Sequence, residues 1–151
     1  MKTHPDARQA MCLRCQRVIG LDTEREKLIK QVAAHMAERH DFTSGTLIEG
    51  GDFQLEPAPY RCDLCGVVVE PPVWDYRSHV DVEWMSDDWL VCFACHELIA
   101  DGRITPLFKR VVDLHLSIYP LKKTDVLGGA VPIVQKFLDG RYGTPVKEDR
   151  L

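Results

Sequence analysis

Apolar side chains recur at helical spacing in two long segments of this chain. In the first segment the apolar positions are Leu28, Ile29, Val32, Ala33 and Met36. In the second they are Leu107, Val111, Leu114 and Ile118. Spacings of three and four residues keep one helix face apolar, so we predict helices over residues 23–39 and 107–118. Thr23 with Glu26 predicts a capping box, and Thr105-Pro106 predicts an N-cap followed by the first helical position.

Shorter apolar runs between turn signals predict strands and two further helices. The predicted strands are Arg17–Ile19, Val67–Val69, Val73–Tyr76, Val80–Trp84 and Trp89–Cys92, with a hairpin of Thr46–Ile48 and Phe53–Leu55 around Gly50-Gly51. The predicted helices are His96–Ala100, which Gly102 ends, and Val131–Leu138, which Gly140 closes. The prolines of Pro57-Ala58-Pro59 mark a boundary, because proline disfavours continuing a helix or a central strand.

All six cysteines fall in C-x-x-C pairs, which adds a chemical requirement to this pattern. The pairs are Cys12/Cys15, Cys62/Cys65 and Cys92/Cys95, and no cysteine is left over. Two thiolates separated by two residues can hold one ion from a tight turn, and zinc sites use this spacing. The pairs therefore predict metal binding rather than a disulfide framework.

Two of the pairs predict a four-cysteine zinc site. Cys62 and Cys65 are followed, after 26 intervening residues, by Cys92 and Cys95 at the start of a predicted helix. A helix N-terminus favours thiolates there, because its unpaired N–H groups and dipole carry positive charge. Four thiolates close the tetrahedron around Zn²⁺, so the ion would be structural rather than catalytic. The alternative is a set of four unliganded core cysteines.

The first pair predicts a second zinc site that includes two histidines. Cys12 and Cys15 are followed by His35 and His40 in the pattern C-x2-C-x19-H-x4-H. Residues five apart on a regular helix point about 140° away from each other. The last turn of the helix must therefore loosen before His40. The alternative is a cysteine pair without metal, with His35 and His40 as ordinary exposed helix residues.

Composition and charge limit which cellular compartment and which class of binding partner are expected. The chain is 45% hydrophobic and 28% charged, it has no apolar run of membrane-spanning length, and Met1–Asp6 is not followed by a signal-like hydrophobic stretch. We therefore predict a cytoplasmic protein without membrane contact, in which thiols stay reduced. Residues 60–102 carry two basic against nine acidic side chains, whereas residues 1–40 and 103–151 have net charges of +3 and +4. The acidic centre disfavours phosphate binding, and only the basic ends could contact nucleic acid.

Three other kinds of chemistry fit parts of the pattern. Cys92-Phe93-Ala94-Cys95-His96 matches the haem-attachment motif, but that chemistry normally requires export. A thiol–disulfide centre is most plausible at the first pair, yet no βαβ context accompanies it. An HNH-type nuclease would use His79 and His96 around a divalent ion. Against it, Ser78 stands where an acidic residue or histidine is expected, and the chain contains no asparagine.

Two segments carry a resemblance to a known family. They are residues 60–65, Tyr-Arg-Cys-Asp-Leu-Cys, and residues 89–102, Trp-Leu-Val-Cys-Phe-Ala-Cys-His-Glu-Leu-Ile-Ala-Asp-Gly. Over residues 60–102 the sequence resembles small treble-clef zinc proteins of actinobacteria and their phages, a family without an assigned activity. The resemblance implies a fold and four zinc ligands, not a reaction. The N-terminal segment is similar to a zinc finger with two cysteine and two histidine ligands.

These observations predict a small α+β protein stabilised by two structural Zn²⁺ ions. Its expected parts are a zinc-finger-like unit (residues 1–45), a hairpin or linker (46–59), a treble clef (60–104) and a helical C-terminal segment (105–151). The predicted ligands are Cys12, Cys15, His35, His40, Cys62, Cys65, Cys92 and Cys95. We expect a non-enzymatic adaptor or regulator that binds another protein, with no small-molecule substrate. The alternatives are a nucleic-acid-binding regulator, which would use the basic residues Arg14, Arg17, Lys109, Arg110, Lys122 and Lys123, and a degenerate nuclease.

Overall fold

The computed structural model describes residues 4–83 and 85–151, which form helices and two three-stranded sheets. The elements are β1 (Arg8–Cys12), β2 (Val18–Asp22), α1 (Arg25–His40), β3 (Phe53–Pro57), β4 (Val73–Ser78), β5 (Asp88–Cys92), α2 (Phe93–Ala100), α3 (Ile104–Ile118), α4 (Lys123–Gly128), α5 (Ala130–Gly140) and β6 (Arg141–Glu148). They divide into an N-terminal unit, residues 4–58 with 118–120, and a C-terminal unit, residues 59–117 with 121–151. The predicted α+β class is confirmed, and the treble-clef assignment stays a prediction.

The N-terminal unit is a three-stranded antiparallel sheet covered by one helix. Its strand order is β2-β1-β3, with Cys12 of β1 opposite Phe53 of β3. The buried core lies between the sheet and α1 and comprises Ala10, Cys12, Leu28, Val32, Met36, Phe53 and Leu55. The helical residues of this core follow the predicted apolar spacing, so the sequence pattern correctly identifies the face of α1 that packs on the sheet.

Two local predictions for this unit are wrong. The Thr23–Glu26 capping box does not form, because α1 begins one residue later, with Glu24 at its N-cap and no side-chain cap. The predicted hairpin of Thr46–Ile48 with Phe53–Leu55 is also absent. Residues 53–57 pair instead with β1, more than 40 positions earlier in the chain, and only an isolated bridge joins Glu49 to Phe53. The longer-range pairing buries Phe53 and Leu55 against the helix, which a local hairpin would not do.

The C-terminal unit also combines an antiparallel sheet with helices on one face. Its strand order is β5-β4-β6, so the C-terminal strand, which begins at Arg141, completes a sheet that begins at Val73. The core includes Val73, Tyr76, Trp89, Val91, Leu107, Val111, Phe137 and all four cysteines of the unit. The cysteines are thus part of the apolar interior and not an appendage to it.

The sequence predictions for this unit succeed for helices more than for strands. The predicted strands at residues 73–76 and 89–92 are confirmed, as is the helix at 96–100, although α2 begins at Phe93. Residues 67–69 make only an isolated bridge, Arg61 to Val68, and residues 80–83 form no strand; Trp84 lies outside the described residues. Helix α3 begins at Ile104, so Thr105 and Pro106 lie within its first turn. The predicted helical C-terminal segment does contain helices, including α4, which the sequence pattern does not predict. It ends, however, in the strand β6.

The turn from α5 to β6 is held against the end of β4. The buried Ser78 hydroxyl donates to the carbonyl of Phe137 at 2.6 Å, and the amide of His79 donates to the carbonyl of Gly140 at 3.0 Å. A Cβ at Gly140 would collide with the carbonyl oxygen of His79, so this approach requires glycine. The contact fixes where the chain leaves α5 and enters the sheet as β6.

Candidate metal centres

The structure brings the eight predicted ligands together in two groups of four. One group is Cys12, Cys15, His35 and His40, and the other is Cys62, Cys65, Cys92 and Cys95. Within each group the candidate donor atoms lie within 4.8 Å of one another. Each group could hold one metal ion, and each belongs to a different unit.

Both groups begin with the same backbone knuckle. In the first, the amide of Cys12 donates to Arg17 O and the amide of Gln16 donates to Cys12 O, each at 2.9 Å. In the second, Cys62 donates to Val67 O and Gly66 donates to Cys62 O at the same distances. The residue after the second cysteine has positive φ in both, 59° at Gln16 and 80° at Gly66. This left-handed residue reverses the chain, so both thiols of a pair point to one side.

The second cysteine pair of the C-terminal unit sits where β5 becomes α2. Cys92 is the N-cap of α2, and its sulfur accepts a hydrogen bond from the amide of Cys95 at 3.5 Å. The amide of Cys92 in turn donates to Cys62 Sγ at 3.4 Å. Backbone N–H groups directed at sulfur stabilise thiolate charge, as expected for the N-terminus of a helix.

Arg110 supplies a positive charge to the same cluster. Its Nη2 lies 3.8 Å from Cys92 Sγ, and the side chain comes from α3, one turn after the buried Leu107. Burial alone would lower the pKa of Arg110, but the charge of Cys65 and hydrogen bonds to Cys95 and Cys92 outweigh it and raise the pKa. In the sequence, Arg110 is among the basic residues predicted for a nucleic-acid surface. Its position three residues after Leu107, on the buried face of the helix, is the signal that it faces inward.

The environments of the four thiols differ. Burial raises the pKa of Cys62 well above the usual thiol value. Hydrogen bonds from Cys62, Cys65 and Cys95 instead hold the pKa of Cys92 below it. Cys92 is also the sulfur that faces Arg110 and the amide of Cys95, two donors that stabilise a thiolate there.

The spacing of these sulfurs fits a tetrahedral ion. A bond of about 2.3 Å from Zn²⁺ to sulfur requires sulfur atoms about 3.8 Å apart in a tetrahedron. Cys65 Sγ and Cys92 Sγ are separated by 3.8 Å, and no disulfide joins them. All four cysteines are buried. The donor set is compatible with zinc and would close the coordination shell without an open position.

The end of α1 brings the two histidines of the other group together. Asp41 caps the helix with a φ of 52°, and its amide donates to Met36 O, five residues back instead of the usual four. The amide of Phe42 also donates to Met36 O, at 3.0 Å. The last turn is therefore wider than a regular one, and His40 rotates toward His35. The loosening that the five-residue spacing required is present.

The donor distances of this mixed group also fit a tetrahedron. With bonds of about 2.0–2.1 Å to nitrogen and 2.3 Å to sulfur, nitrogen atoms should lie about 3.3–3.4 Å apart and nitrogen–sulfur pairs about 3.5–3.6 Å apart. The Nε2 atoms of His35 and His40 are 3.2 Å apart. Cys12 Sγ lies 3.4 Å from His40 Nε2, and Cys15 Sγ lies 3.5 Å from His35 Nε2. The group is compatible with an ion held by two sulfurs and two nitrogens.

The environment of His35 favours its neutral, metal-binding form. Burial lowers the pKa of His35, and the neighbouring charges of His40 and Arg39 lower it further. Burial also raises the pKa of Cys12. In contrast to the other group, two members, Cys15 and His40, are only half-buried. A competing ligand in solution could therefore reach this group more easily.

His79 and His96 belong to neither donor group. The His79 side chain is exposed and lies 3.3 Å from Asp87. His96 contacts the Tyr76 hydroxyl through Nδ1 at 2.7 Å and stacks on Trp74, with ring centroids 3.7 Å apart. The two histidines thus have different partners, and within the described residues neither joins a metal-capable group.

Several residues of the predicted nucleic-acid surface have partners within the fold. Arg14 forms an ion pair with Asp52 at 3.0 Å, and Lys109 forms one with Asp113 at 2.6 Å. Arg17 donates to the carbonyl of Cys15, and Arg110 faces Cys92. Lys122 and Lys123 lie at the start of α4.

Comparison of the chain with protein-family models, curated proteins and solved structures gives no match. Within the described residues, no helix combines the length and apolar character that crossing a bilayer requires. The resemblance to treble-clef proteins therefore remains a prediction from the cysteine-containing segments. Function has to be inferred from the two donor groups and the surfaces around them.

Proposed function

We propose that the protein is a zinc-binding adaptor without catalytic activity, whose C-terminal unit presents an acidic surface to a basic segment of another protein. The donor sets support zinc, because four thiolates or two thiolates with two imidazoles are the ligands that structural zinc sites use. Both sets are complete with four protein ligands. Neither leaves a coordination position at which a substrate or an activated water could bind.

The surface proposed for the partner is a groove on the face of the β5-β4-β6 sheet. It has a volume of about 620 Å³ and is lined by Asp75, Asp88 and Glu148 with a single basic residue, Arg77. Asp75 lies directly between Leu90 on one side and Val146 on the other in the strand register. We call this surface the acidic groove. It combines carboxylates with apolar floor residues in one concave site.

The charge of the acidic groove determines the partner chemistry. Arg77 is already paired with Asp88 at 2.6 Å. Among the described residues, Asp75 and Glu148 have no ion-pair partner, and Val146 is 58% exposed. A segment with lysine or arginine next to aliphatic side chains would complement both features. The phosphate backbone of a nucleic acid would be repelled.

The metal group would keep this surface rigid. Strand β5 leads directly into Cys92, so the strand that carries Asp88 and Leu90 is tied to the four-cysteine cluster. Asp63, which follows Cys62, also contacts this strand: its carboxylate accepts a hydrogen bond from the amide of Leu90 at 2.6 Å. The Asp63 amide donates to Leu90 O at 2.8 Å. A preformed surface binds more tightly because less ordering is needed on association.

A peptide titration tests this function. The probe is a fluorescent peptide that alternates Lys or Arg with Val and Leu, and its matched partner has Glu at each basic position. We expect the basic peptide to bind the zinc-loaded protein. The double variant Asp75→Asn/Glu148→Gln should weaken binding by about tenfold, since two exposed ion pairs contribute up to about 1 kcal/mol each. Anisotropy at fixed salt measures both.

The control variant is Glu97→Gln/Asp101→Asn, which makes the same charge change on α2 and its C-cap, outside the acidic groove. It should bind as the unmodified protein does. Equal weakening by both double variants would show nonspecific charge attraction and would contradict the groove. Duplex DNA binding that falls steeply with salt would favour the nucleic-acid regulator instead. DNA cleavage that requires a divalent metal and is lost in His79→Ala would favour the nuclease.

A further inference from the structure

A second cavity in the C-terminal unit has the opposite electrostatic character. It opens beside the α5–β6 turn, has a volume of about 400 Å³, and is lined by Tyr76, His96 and Arg141 with the apolar side chains Ile99 and Leu138. None of the described residues that line it carries a carboxylate. In a chain with a net charge of −4, a cavity with a cation and no acid is suited to an anion.

His96 is held in this cavity by two contacts that fix its ring. The Trp74 indole is stacked on it with an interplanar angle of 10°, and its Nδ1 shares a hydrogen bond of 2.7 Å with the Tyr76 hydroxyl. Among the described residues, Nε2 has no recorded partner. If Tyr76 donates to Nδ1, the neutral ring carries its proton on Nε2; if Nδ1 donates, the Tyr76 hydroxyl keeps its proton. In either arrangement the pair retains one unused donor.

Arg141 is oriented toward the same place. Its Nε donates to the carbonyl of Leu138 at 3.0 Å, which fixes the plane of the guanidinium, while its two terminal nitrogens form no hydrogen bond or ion pair with any described residue. The Arg141 charge also reaches Tyr76: burial raises the pKa of this hydroxyl, and Arg141 opposes that rise. The cavity thus joins a guanidinium, one further donor and an apolar wall.

We propose that this cavity binds a small organic carboxylate. The guanidinium of Arg141 would pair with both carboxylate oxygens, and the His96–Tyr76 pair would donate a third hydrogen bond. Ile99 and Leu138 would contact the apolar body of the ligand. One positive charge matches a monoanion, whereas a phosphate dianion would remain partly unneutralised. The site is independent of the acidic groove and does not rest on the proposed function.

Benzoate is a suitable probe, with benzamide as its neutral analogue and phenyl phosphate as its dianionic one. Titrations of the zinc-loaded protein are followed by amide NMR shifts at Tyr142 and Gly143, which line the cavity. We expect saturable binding of benzoate and binding of benzamide at least about tenfold weaker, because hydrogen bonds to a charged group are stronger than those to a neutral one. Phenyl phosphate should bind more weakly than benzoate.

Two variants locate the site. Arg141→Gln should weaken benzoate binding by about tenfold or more, since it removes the charge from an exposed position without touching the core. His96→Phe keeps a ring to stack on Trp74 and should weaken binding while leaving the zinc content unchanged. Arg150→Gln, two residues beyond the other end of β6, is the matched control and should bind normally. Absence of saturable binding, equal affinity for benzamide, tighter binding of phenyl phosphate, or unchanged affinity in Arg141→Gln would each overturn the proposal.

Discussion

The two donor groups share a knuckle but differ in charge, burial and in the element that supplies their second pair. The four-cysteine group takes its second pair from a strand end and a helix N-terminus, and all four sulfurs are buried within a large core. The mixed group takes its second pair from the widened last turn of α1, and two of its four members are half-buried. The same local turn is therefore used in the interior of one unit and nearer the surface of the other.

The difference in ligands changes what the protein must supply around the ion. A divalent ion with four thiolates leaves two negative charges, whereas two thiolates with two neutral imidazoles leave none. The first arrangement is buried next to amide donors and the charge of Arg110. For the second group the corresponding need is to keep His35 neutral, and burial does so by lowering its pKa. A buried excess charge thus comes with its own compensation, which the neutral group does not require.

The largest expected effect follows from removing one cysteine of the four-cysteine group. Cys62→Ser should unfold the C-terminal unit, because a structural zinc in a small domain contributes about 10–16 kcal/mol, as much as a domain's whole stability. Two-dimensional amide NMR with metal analysis should show one metal per chain and dispersed signals only from the N-terminal unit. His96→Ala is the control and should retain both metals, since its Nδ1 faces Tyr76. Loss of zinc in His96→Ala would mean that the ligand set is wrong.

The corresponding change in the mixed group is His35→Ala. It removes a ligand that is 7% exposed and opens space beside Cys15, so the N-terminal unit should lose its metal and unfold locally. Its apolar core is a cluster of seven buried residues among those described, which is too small to hold the sheet and α1 together without the ion. The same NMR and metal measurements should show the reverse pattern, with the C-terminal unit intact. Two retained metals would contradict the mixed group.

The success of these sequence predictions differs between sites and strands for a physical reason. A C-x-x-C pair is a local signal, because only two residues separate its cysteines. The His35–His40 spacing requires a widened last turn, and the end of α1 provides it. Two of the strand pairings described here are not local: β3 pairs with β1, and β6 pairs with β4. Strand β6 is mostly exposed and contains Gly143 and Pro145, so neither its apolar pattern nor its composition indicates a strand. Helix α1 and α3 were predictable because their periodicity lies within one segment.

A smaller effect should separate the two groups by how fast they lose metal. A chelator should remove the ion of the mixed group first, because Cys15 and His40 are accessible. Arg110→Gln should accelerate loss from the four-cysteine group by about 10- to 100-fold, the usual effect of removing a residue that supports metal ligands. Release rates are measured with a colorimetric zinc indicator. Arg103→Gln, an exposed arginine next to the same helix, is the control and should leave both rates unchanged.

Equal release rates in the unmodified protein would remove the distinction between a buried and an accessible group. Acceleration at the mixed group by Arg110→Gln would show a general loss of stability rather than the loss of a charge beside Cys92. A lysine at the same position separates the two causes further. Arg110→Lys retains the charge but not the fixed geometry of the guanidinium, so its release rate should fall between those of the unmodified protein and Arg110→Gln.

The smallest expected effect is the loss of stability at low pH. It separates protonation of a candidate metal ligand from protonation of a buried histidine outside the metal groups. His35 is a candidate metal ligand, whereas His115 lies on α3 and donates to the carbonyl of Val111 at 2.8 Å. Burial lowers the pKa of both, and at His115 it outweighs the hydrogen bond, which raises the pKa. Each folded-state pKa therefore lies below the usual value of 6.5, and the unfolded chain takes up the proton first as the pH falls. The contribution of each histidine to the free energy of unfolding is therefore complete above pH 6.5 and is lost as the pH falls toward the folded-state pKa.

The zinc concentration should separate these two contributions. At His35 the proton competes with the ion, so added zinc should restore the stability of the N-terminal unit in acid. At His115 no ion competes, so the acid sensitivity that His115→Gln removes from the C-terminal unit should be the same at low and high zinc. Denaturant unfolding at pH 8 and pH 5.5, followed by NMR signals of each unit, measures both. If the contribution of His115 shrank as zinc rose, this histidine would be coupled to the four-cysteine group, and the charge compensation there would extend beyond Arg110.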